Sequence, residues 1–302
     1  MTKNIFGSFL VFGFLSLVFS CDVIDTPIDQ TAQAASVDTV FDENVGMTYS
    51  ELESYTWDTI TSSSNRNKQF ILLEEYTGHT CPNCPPGTKE MLRLDSIYGE
   101  QLVVVSIHLG NYALPENKPD GSFSTDHRVP EIIEGNYLNK MNISAFPNGL
   151  VQRNGIVDLY KRWEQTILAI KDNSPKAVVQ VKNLYNPQLG IARTIVNYEW
   201  LETLAEDYNI QVFLKEDHVV DWQINITYNE PNYDHRHILK KVVNKLFGVP
   251  AKEAVEGVEG RKEYIYKADP SWDMQNVSVI AFLYKSQAPY NVVQVNEAAV
   301  VK

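Results

Sequence analysis

Residues 72–85 read LLEEYTGHTCPNCP, and the fold turns on this stretch. The apolar run around it, Gln69 to Tyr76, has the length and character of a strand. Thr77-Gly78-His79-Thr80 interrupts it, and Cys81-Pro82-Asn83-Cys84 follows. Thr88 to Tyr98 then carries Met91, Leu94 and Ile97 at helical spacing until Gly99 stops it. Strand, loop, cysteine pair and helix thus follow in order. The CxxC spacing brings both sulfurs within bonding reach, and a helix N-terminus beside them stabilises a thiolate. Thiol–disulfide exchange needs that thiolate as nucleophile or leaving group. Half a zinc site has the same spacing, but structural zinc wants four ligands and the chain offers 3 Cys with no second CxxC or CxxH. Pro85 and Pro86 lack backbone N–H groups, which predicts a helix starting near Thr88 and a Cys81 less favoured by the helix dipole. A redox-active pair and a static disulfide stiffening the loop both remain open.

Working outward, Leu102 to Ile107 is a β-branched run suited to a strand buried on both faces. Asn111 to Arg128 is polar and reads as a loop, and Val129 to Lys140 as helical. Gly149-Leu150-Val151 and Ile156-Val157 flank a turn at Arg153-Asn154-Gly155, a hairpin signal. Leu159, Trp163, Ile167 and Ile170 share one helical face. These elements predict an α/β domain over 66–174, a mixed sheet flanked by helices. From Ser174-Pro175 onward, short strand-like runs separated by turn residues predict an all-β, immunoglobulin-like sandwich over 175–302.

The quoted stretch resembles a thioredoxin-fold strand leading into a CxxC helix. In that resemblance Glu75, six residues before Cys81, takes the place of a buried acid that moves protons. Phe146-Pro147 with Asn148-Gly149-Leu150-Val151 resembles the cis-proline loop that faces the sulfurs and shapes the substrate groove. Cys81 would then be the attacking thiolate and Cys84 the resolving thiol. Thr80 departs from the aromatic residue usual before the first cysteine. A closer resemblance is to the outer-membrane-protein-28-related family of Bacteroidota. Thr77 to Pro85, Phe146 to Arg153, His235-Arg236-His237-Ile238-Leu239-Lys240 and Val277 to Tyr284 carry it. It implies an outer-membrane or surface lipoprotein with a thioredoxin-like domain followed by a β-sandwich.

The N-terminus supports an extracytoplasmic address. Lys3 precedes an uncharged run, Ile5 to Phe19, too short for a membrane span and suited to a signal peptide over residues 1–20. Ser20-Cys21 resembles a bacterial lipobox, so Cys21 is the expected lipidation site and the membrane an expected partner through that anchor. Residues 21–65 hold nine acidic residues and no Lys or Arg, which predicts a solvated tether. Tyr49, Leu52, Tyr55, Trp57 and Ile60 point instead to docking on the first domain or an extra strand for its later part.

A formal net charge of −12 argues against broad contact with nucleic acid. No cofactor and no metal are expected. His79 reads as a surface-loop histidine. His235 and His237, two apart, read as sharing a strand face in a structural role. Two functions compete: thiol–disulfide exchange on a protein partner, or a surface-binding, adhesion or assembly role with the thioredoxin-like unit as scaffold.

Overall fold

From residue 38 onward, the expected tether is already part of the fold. This is a computed structural model that describes residues 38–134, 136–155 and 159–302. The expected signal peptide, Cys21 and the Ile156-Val157 arm of the hairpin lie outside those residues. Within 38–65, β1 (Thr39–Phe41), α1 (Tyr49–Glu53) and β2 (Asp58–Thr61) replace the expected solvated chain. Leu52 is fully buried with Val45, Ile191 and Ile265, and that apolar anchorage is why an acidic segment folds here. The segment docks on the later β-rich half rather than on the first domain.

The helix-containing half holds β3 (Ile71–Thr77), α2 (Pro85–Tyr98), β4 (Leu102–His108), α3 (Pro130–Glu134), α4 (Tyr137–Lys140), β5 (Asn148–Val151) and α5 (Trp163–Ile170). β3 runs parallel to β4 and antiparallel to β5. α2 begins at Pro85, earlier than expected, with Cys84 as its N-cap. The prolines fall in the first turn, where an N–H has no intrahelical partner to lose.

The β-rich half holds β6 (Ala177–Asn186), β7 (Ile191–Trp200), β8 (Tyr208–Glu216), β9 (Val219–Ile224), β10 (Asn229–His235), β11 (Ile238–Val242), β12 (Val249–Pro250), β13 (Glu259–Lys267), β14 (Val277–Lys285) and β15 (Val292–Ala299). One sheet has the order β1-β13-β7-β6-β2, and β9 and β10 form a separate hairpin. The main sheet has the order β15-β14-β8-β11-β4-β3-β5, with β12 pairing β8 at its side. It therefore crosses the expected boundary at 174/175. The joint is β11, which pairs antiparallel with β8 and, at Ile238 and Ser106, parallel with β4.

The change of sequence texture at Ser174 marks a change in what covers this sheet. On one face Ile71, Leu73 and Val104 pack against Met91 and Leu94 of α2 and Trp163 and Ile167 of α5. Further along, Val212, Leu214, Val279 and Ala281 pack against Val179, Val181 and Val196 of the second sheet. On the opposite face Leu72, Val103, Val105, Phe213 and Phe282 form one continuous cluster with Ile132, Tyr137 and Met141. Both faces are covered, so the strand interiors are near-continuously apolar.

Candidate functional site

The corner between β3 and α2 gathers the residues the sequence singled out. Cys81 and Cys84 form a disulfide with Cα atoms 5.4 Å apart. The loop holding them is a pair of tight turns: Cys81 N–H donates to the Gly78 carbonyl (3.0 Å) and Cys84 N–H to the Cys81 carbonyl (3.2 Å). The amides of Gly87 and Thr88 donate to the Cys84 carbonyl at 2.8 and 3.2 Å, so the cysteine turn runs straight into α2. Thr80, where an aromatic residue was expected by resemblance, donates through its hydroxyl and its amide to the Tyr112 carbonyl, at 2.8 and 3.0 Å. The same carbonyl lies 2.3 Å from where a Cβ on Gly78 would sit, so only glycine lets the loop lie this close. Gly78→Ala is expected to lower stability by about 1–3 kcal/mol through overpacking against rigid backbone, read as a lower urea midpoint.

Glu75 is fully buried beneath this corner. Thr88 and Ser106 donate hydroxyl hydrogen bonds to its two carboxyl oxygens, at 2.8 and 2.7 Å. Burial raises its pKa above the ordinary carboxylate value, against the lowering by Ser106, Thr88 and nearby His237. Pro147 follows a cis Phe146–Pro147 peptide bond and packs on the first turn of α2. A Cβ on Gly87 would lie 2.8 Å from the Pro147 Cβ and 3.5 Å from Glu75 Oε1, so Pro147, Glu75 and the helix start share one close-packed site. Glu74, the neighbour of Glu75, is buried on the opposite face and is gripped by Arg153, at 2.9 and 2.7 Å. Both glutamates are interior because β3 lies between β4 and β5 with both faces covered.

Both cysteines are only 1% exposed. The cover is the β9–β10 hairpin. Ile224 N–H donates to the His79 carbonyl (2.8 Å), and the Gln223 side-chain amide donates to the Cys81 carbonyl (3.2 Å). Tyr233 of β10 lies beside Thr88 and Glu75. Burial, followed by the Glu75 charge, pushes its hydroxyl pKa up to about 12.

His79 is not a surface-loop residue: it is buried among His108, His127 and the ring of Phe123. His235 joins the same cluster. His235 and His237 do not share a strand face. β10 ends at His235, and His237 has φ +56° in the turn to β11, which sends its ring to Asp217 and Lys215, each 3.2 Å away. Among the described residues no group of three or more His, Cys, Asp or Glu could hold a metal ion, and no helix is long and apolar enough to cross a membrane.

Sequence reading missed the hairpin cover, Gln223, Tyr233, Arg153 and the histidine cluster. Part of the cluster had a signal: β3 and β4 are parallel with Thr77 opposite His108, so a two-strand reading already brings His79 and His108 to one end. His127 reaches the corner on the long loop after β4, and His235 on a hairpin joined to β8 and β11 by two-residue links, neither of which a local pattern announces.

The family model described as outer membrane protein Omp28 matches residues 134–302, more than half of the chain. The match takes in Pro147, Arg153, His235 and the hairpin and begins after the cysteine pair. No curated protein sequence matches the chain. Among solved structures, HBP35 of Porphyromonas gingivalis is similar with a TM-score of 0.60 and 14% identity, over 78% of this chain and 76% of that one. A domain of the outer membrane lipoprotein Omp28 from the same organism has a TM-score of 0.31 and 21% identity, over 43% of this chain and 91% of that one. The likeness to HBP35 is one of fold.

Proposed function

The chain belongs to the outer membrane protein Omp28 family, and from that membership we propose an outer-membrane protein with a capped thiol–disulfide exchange site. The helix-containing half is read as thioredoxin-like and the packed sheets beyond it as an immunoglobulin-like sandwich. One observation carries the reading: the Cys81–Cys84 disulfide, the buried acid Glu75 and Pro147 converge on the first turn of α2. A buried carboxyl biased toward its neutral form and answered by two hydroxyls suits proton transfer better than packing.

In the exchange, a thiolate of a partner protein dithiol attacks one sulfur of the Cys81–Cys84 bond. A mixed disulfide forms, and the other sulfur leaves as a thiolate and takes a proton. The partner's second thiolate then displaces the first sulfur. The partner departs as a disulfide, and Cys81 and Cys84 are left as thiols, two electrons and two protons having moved. Run in reverse, Cys81 is the attacking thiolate and Cys84 resolves the mixed disulfide. Glu75 exchanges the proton, and Pro147 shapes the face the partner meets once the hairpin moves aside. The test is reduction of the pair by a dithiol peptide, followed by alkylation mass spectrometry. Wild type should react and Cys81→Ser/Cys84→Ser should not. A wild-type disulfide that stays intact while the peptide oxidises no faster than it does alone rejects the reading.

The burial of both sulfurs favours a second reading, in which the disulfide is static and the sandwich serves as a binding or assembly surface. In that case Cys81→Ser/Cys84→Ser keeps every cellular phenotype. In either reading the protein is held at the outer membrane by acylation at Cys21. A fatty-acid analogue should label the intact protein and fail to label Cys21→Ala; label surviving that substitution removes the anchor.

A further inference from the structure

Four imidazoles form the seam between the cysteine corner and its cover. His79 lies two residues before Cys81, His108 ends β4, His127 sits on the long loop after it, and His235 ends β10. All four are buried. Ring centroids are 5.2 Å apart for His108–His127, 5.3 Å for His127–His235, and 5.5 Å for both His79–His127 and His108–His235. Neither ring nitrogen of His108 meets a hydrogen-bond partner, nor does Nδ1 of His127.

Both ring nitrogens of His79 are likewise without a partner, and two ring nitrogens of the cluster meet groups of the hairpin. His127 Nε2 is 3.0 Å from Asp221 Oδ2, and His235 Nε2 is 3.3 Å from the Trp222 carbonyl. The remaining groups facing the cluster are Glu116 toward His79, Lys240 toward His108, and the hydroxyl-bearing ring of Tyr233 against His235. Among the described residues, Asp221 is the one carboxylate in direct contact. Burial opposes its charge, yet hydrogen bonds from His127, Thr125 and the Trp222 amide keep it well below the ordinary carboxylate range. One carboxylate can answer one imidazolium, so a second proton on the cluster stands beside a like charge with no partner.

We propose that this seam is an acid-released latch: protons loaded onto the His79–His108–His127–His235 cluster free the β9–β10 hairpin and uncover the Cys81–Cys84 disulfide. The latch deepens the exchange reading by giving its regulation and rests on it for purpose, although opening is measurable without exchange. Moving the hairpin takes His235 away from the other three rings and lets water reach all four. It is a separate two-stranded sheet that carries His235, Asp221 and Trp222, whereas β3 and β4 are fixed in the main sheet. Lifting it breaks the Ile224–His79 and Gln223–Cys81 contacts, which are the ones that cover the site.

The sign follows from the closed form favouring neutral rings at His79, His108 and His235. Burial, then the neighbouring imidazoles, lowers His108 well below its ordinary value. Burial and His127 lower His79, and the same causes bring His235 down to about 3. Once the cluster opens, His79, His108 and His235 recover the ordinary imidazole value of about 6.5. The closed form is therefore fully favoured above that pH and loses ground as the pH falls, by up to about tenfold per pH unit for each proton gained.

The test is reduction of the intact disulfide by a phosphine from pH 7.5 to 5.5, normalised to a CPNC disulfide peptide. Native hydrogen exchange of residues 219–235 is followed alongside. The normalised rate should rise at least tenfold toward pH 5.5, with protection lost in the hairpin and kept in β8 and β14. His108→Leu removes a proton site without removing a hydrogen bond and should flatten the rise while leaving the rate at pH 7.5 unchanged. A flat wild-type profile, a rise unchanged by His108→Leu, or loss of protection in β8 and β14 together with the hairpin each overturns the latch. Acid opening without exchange on a dithiol peptide keeps the latch and removes the exchange reading; exchange with a flat profile does the reverse.

Discussion

Glu75→Gln is expected to slow thiol–disulfide exchange by about 100-fold while leaving the fold at least as stable near neutral pH. The rate loss follows from removing the titratable group that takes and returns the proton of the sulfur chemistry, an effect of about 10²–10⁴ for general acid–base groups. The stability follows from linkage. Burial raises the Glu75 pKa above its ordinary value, so the native state favours the neutral acid. Any stability this group contributes is complete below the unfolded carboxylate value and is lost as pH rises through the folded one. A glutamine is neutral at every pH and keeps the geometry. Its carbonyl accepts from one of Ser106 and Thr88, and its amide donates to the oxygen of the other. Exchange with a dithiol peptide from pH 5 to 8, beside urea midpoints over the same range, separates the two effects. Unchanged exchange in a variant of undiminished stability removes Glu75 from the chemistry. Equal losses of exchange and stability make it a packing residue.

How much of this was legible in the sequence differs by range along the chain. The strand into Tyr76, the Leu102 to Ile107 strand and the strand-like runs after Ser174 announce themselves because apolar stretches alternate with turn residues. At the corner, Cys81 and Cys84 are legible because they follow the end of one of those strands, whereas Glu75 and Pro147 are placed there only by the resemblance to a thioredoxin fold. α2 starts earlier than its prolines predict, because in a first turn the N–H that a proline lacks has no intrahelical partner to lose. The extent of the main sheet was hidden because its joint, β11, is short and meets β4 at Ile238 and Ser106, residues far apart in sequence. Exposure of the cysteines is decided by the cover, and β10 (NEPNYDH) is polar and holds a proline, so its composition gives no sign of a strand.

Arg153→Met is expected to cost about 3–5 kcal/mol, the largest loss of stability among the changes considered, because it strands a buried carboxylate. The guanidinium is fully buried, donating to both oxygens of Glu74 and, at 2.8 Å, to the Tyr137 hydroxyl. Phe282 and Tyr284 lie 4.6 and 4.9 Å from its central carbon. Tyr137 donates to Glu74 as well, at 2.7 Å, so one carboxylate organises three elements: β3, α4 and the turn after β5. That arrangement is a poor source of net stability, since two charges have been taken out of water to make it. Replacing both partners, Glu74→Met with Arg153→Met, should therefore recover most of the single-variant loss, which chemical denaturation of the four proteins of the cycle measures. If the double variant is as unstable as Arg153→Met alone, packing of the long side chain against Phe282 and Tyr284 accounts for the effect and the ion pair does not. The recovered double variant also tests what the pair is for. β5 begins at the residue after Pro147, and the turn at its far end holds Arg153, so the Glu74–Arg153 bond pins the strand that seats Pro147 on α2. A double variant with restored stability but slower exchange would show the buried charges acting as a register pin for the site, at the expense of stability that an apolar pair supplies more cheaply.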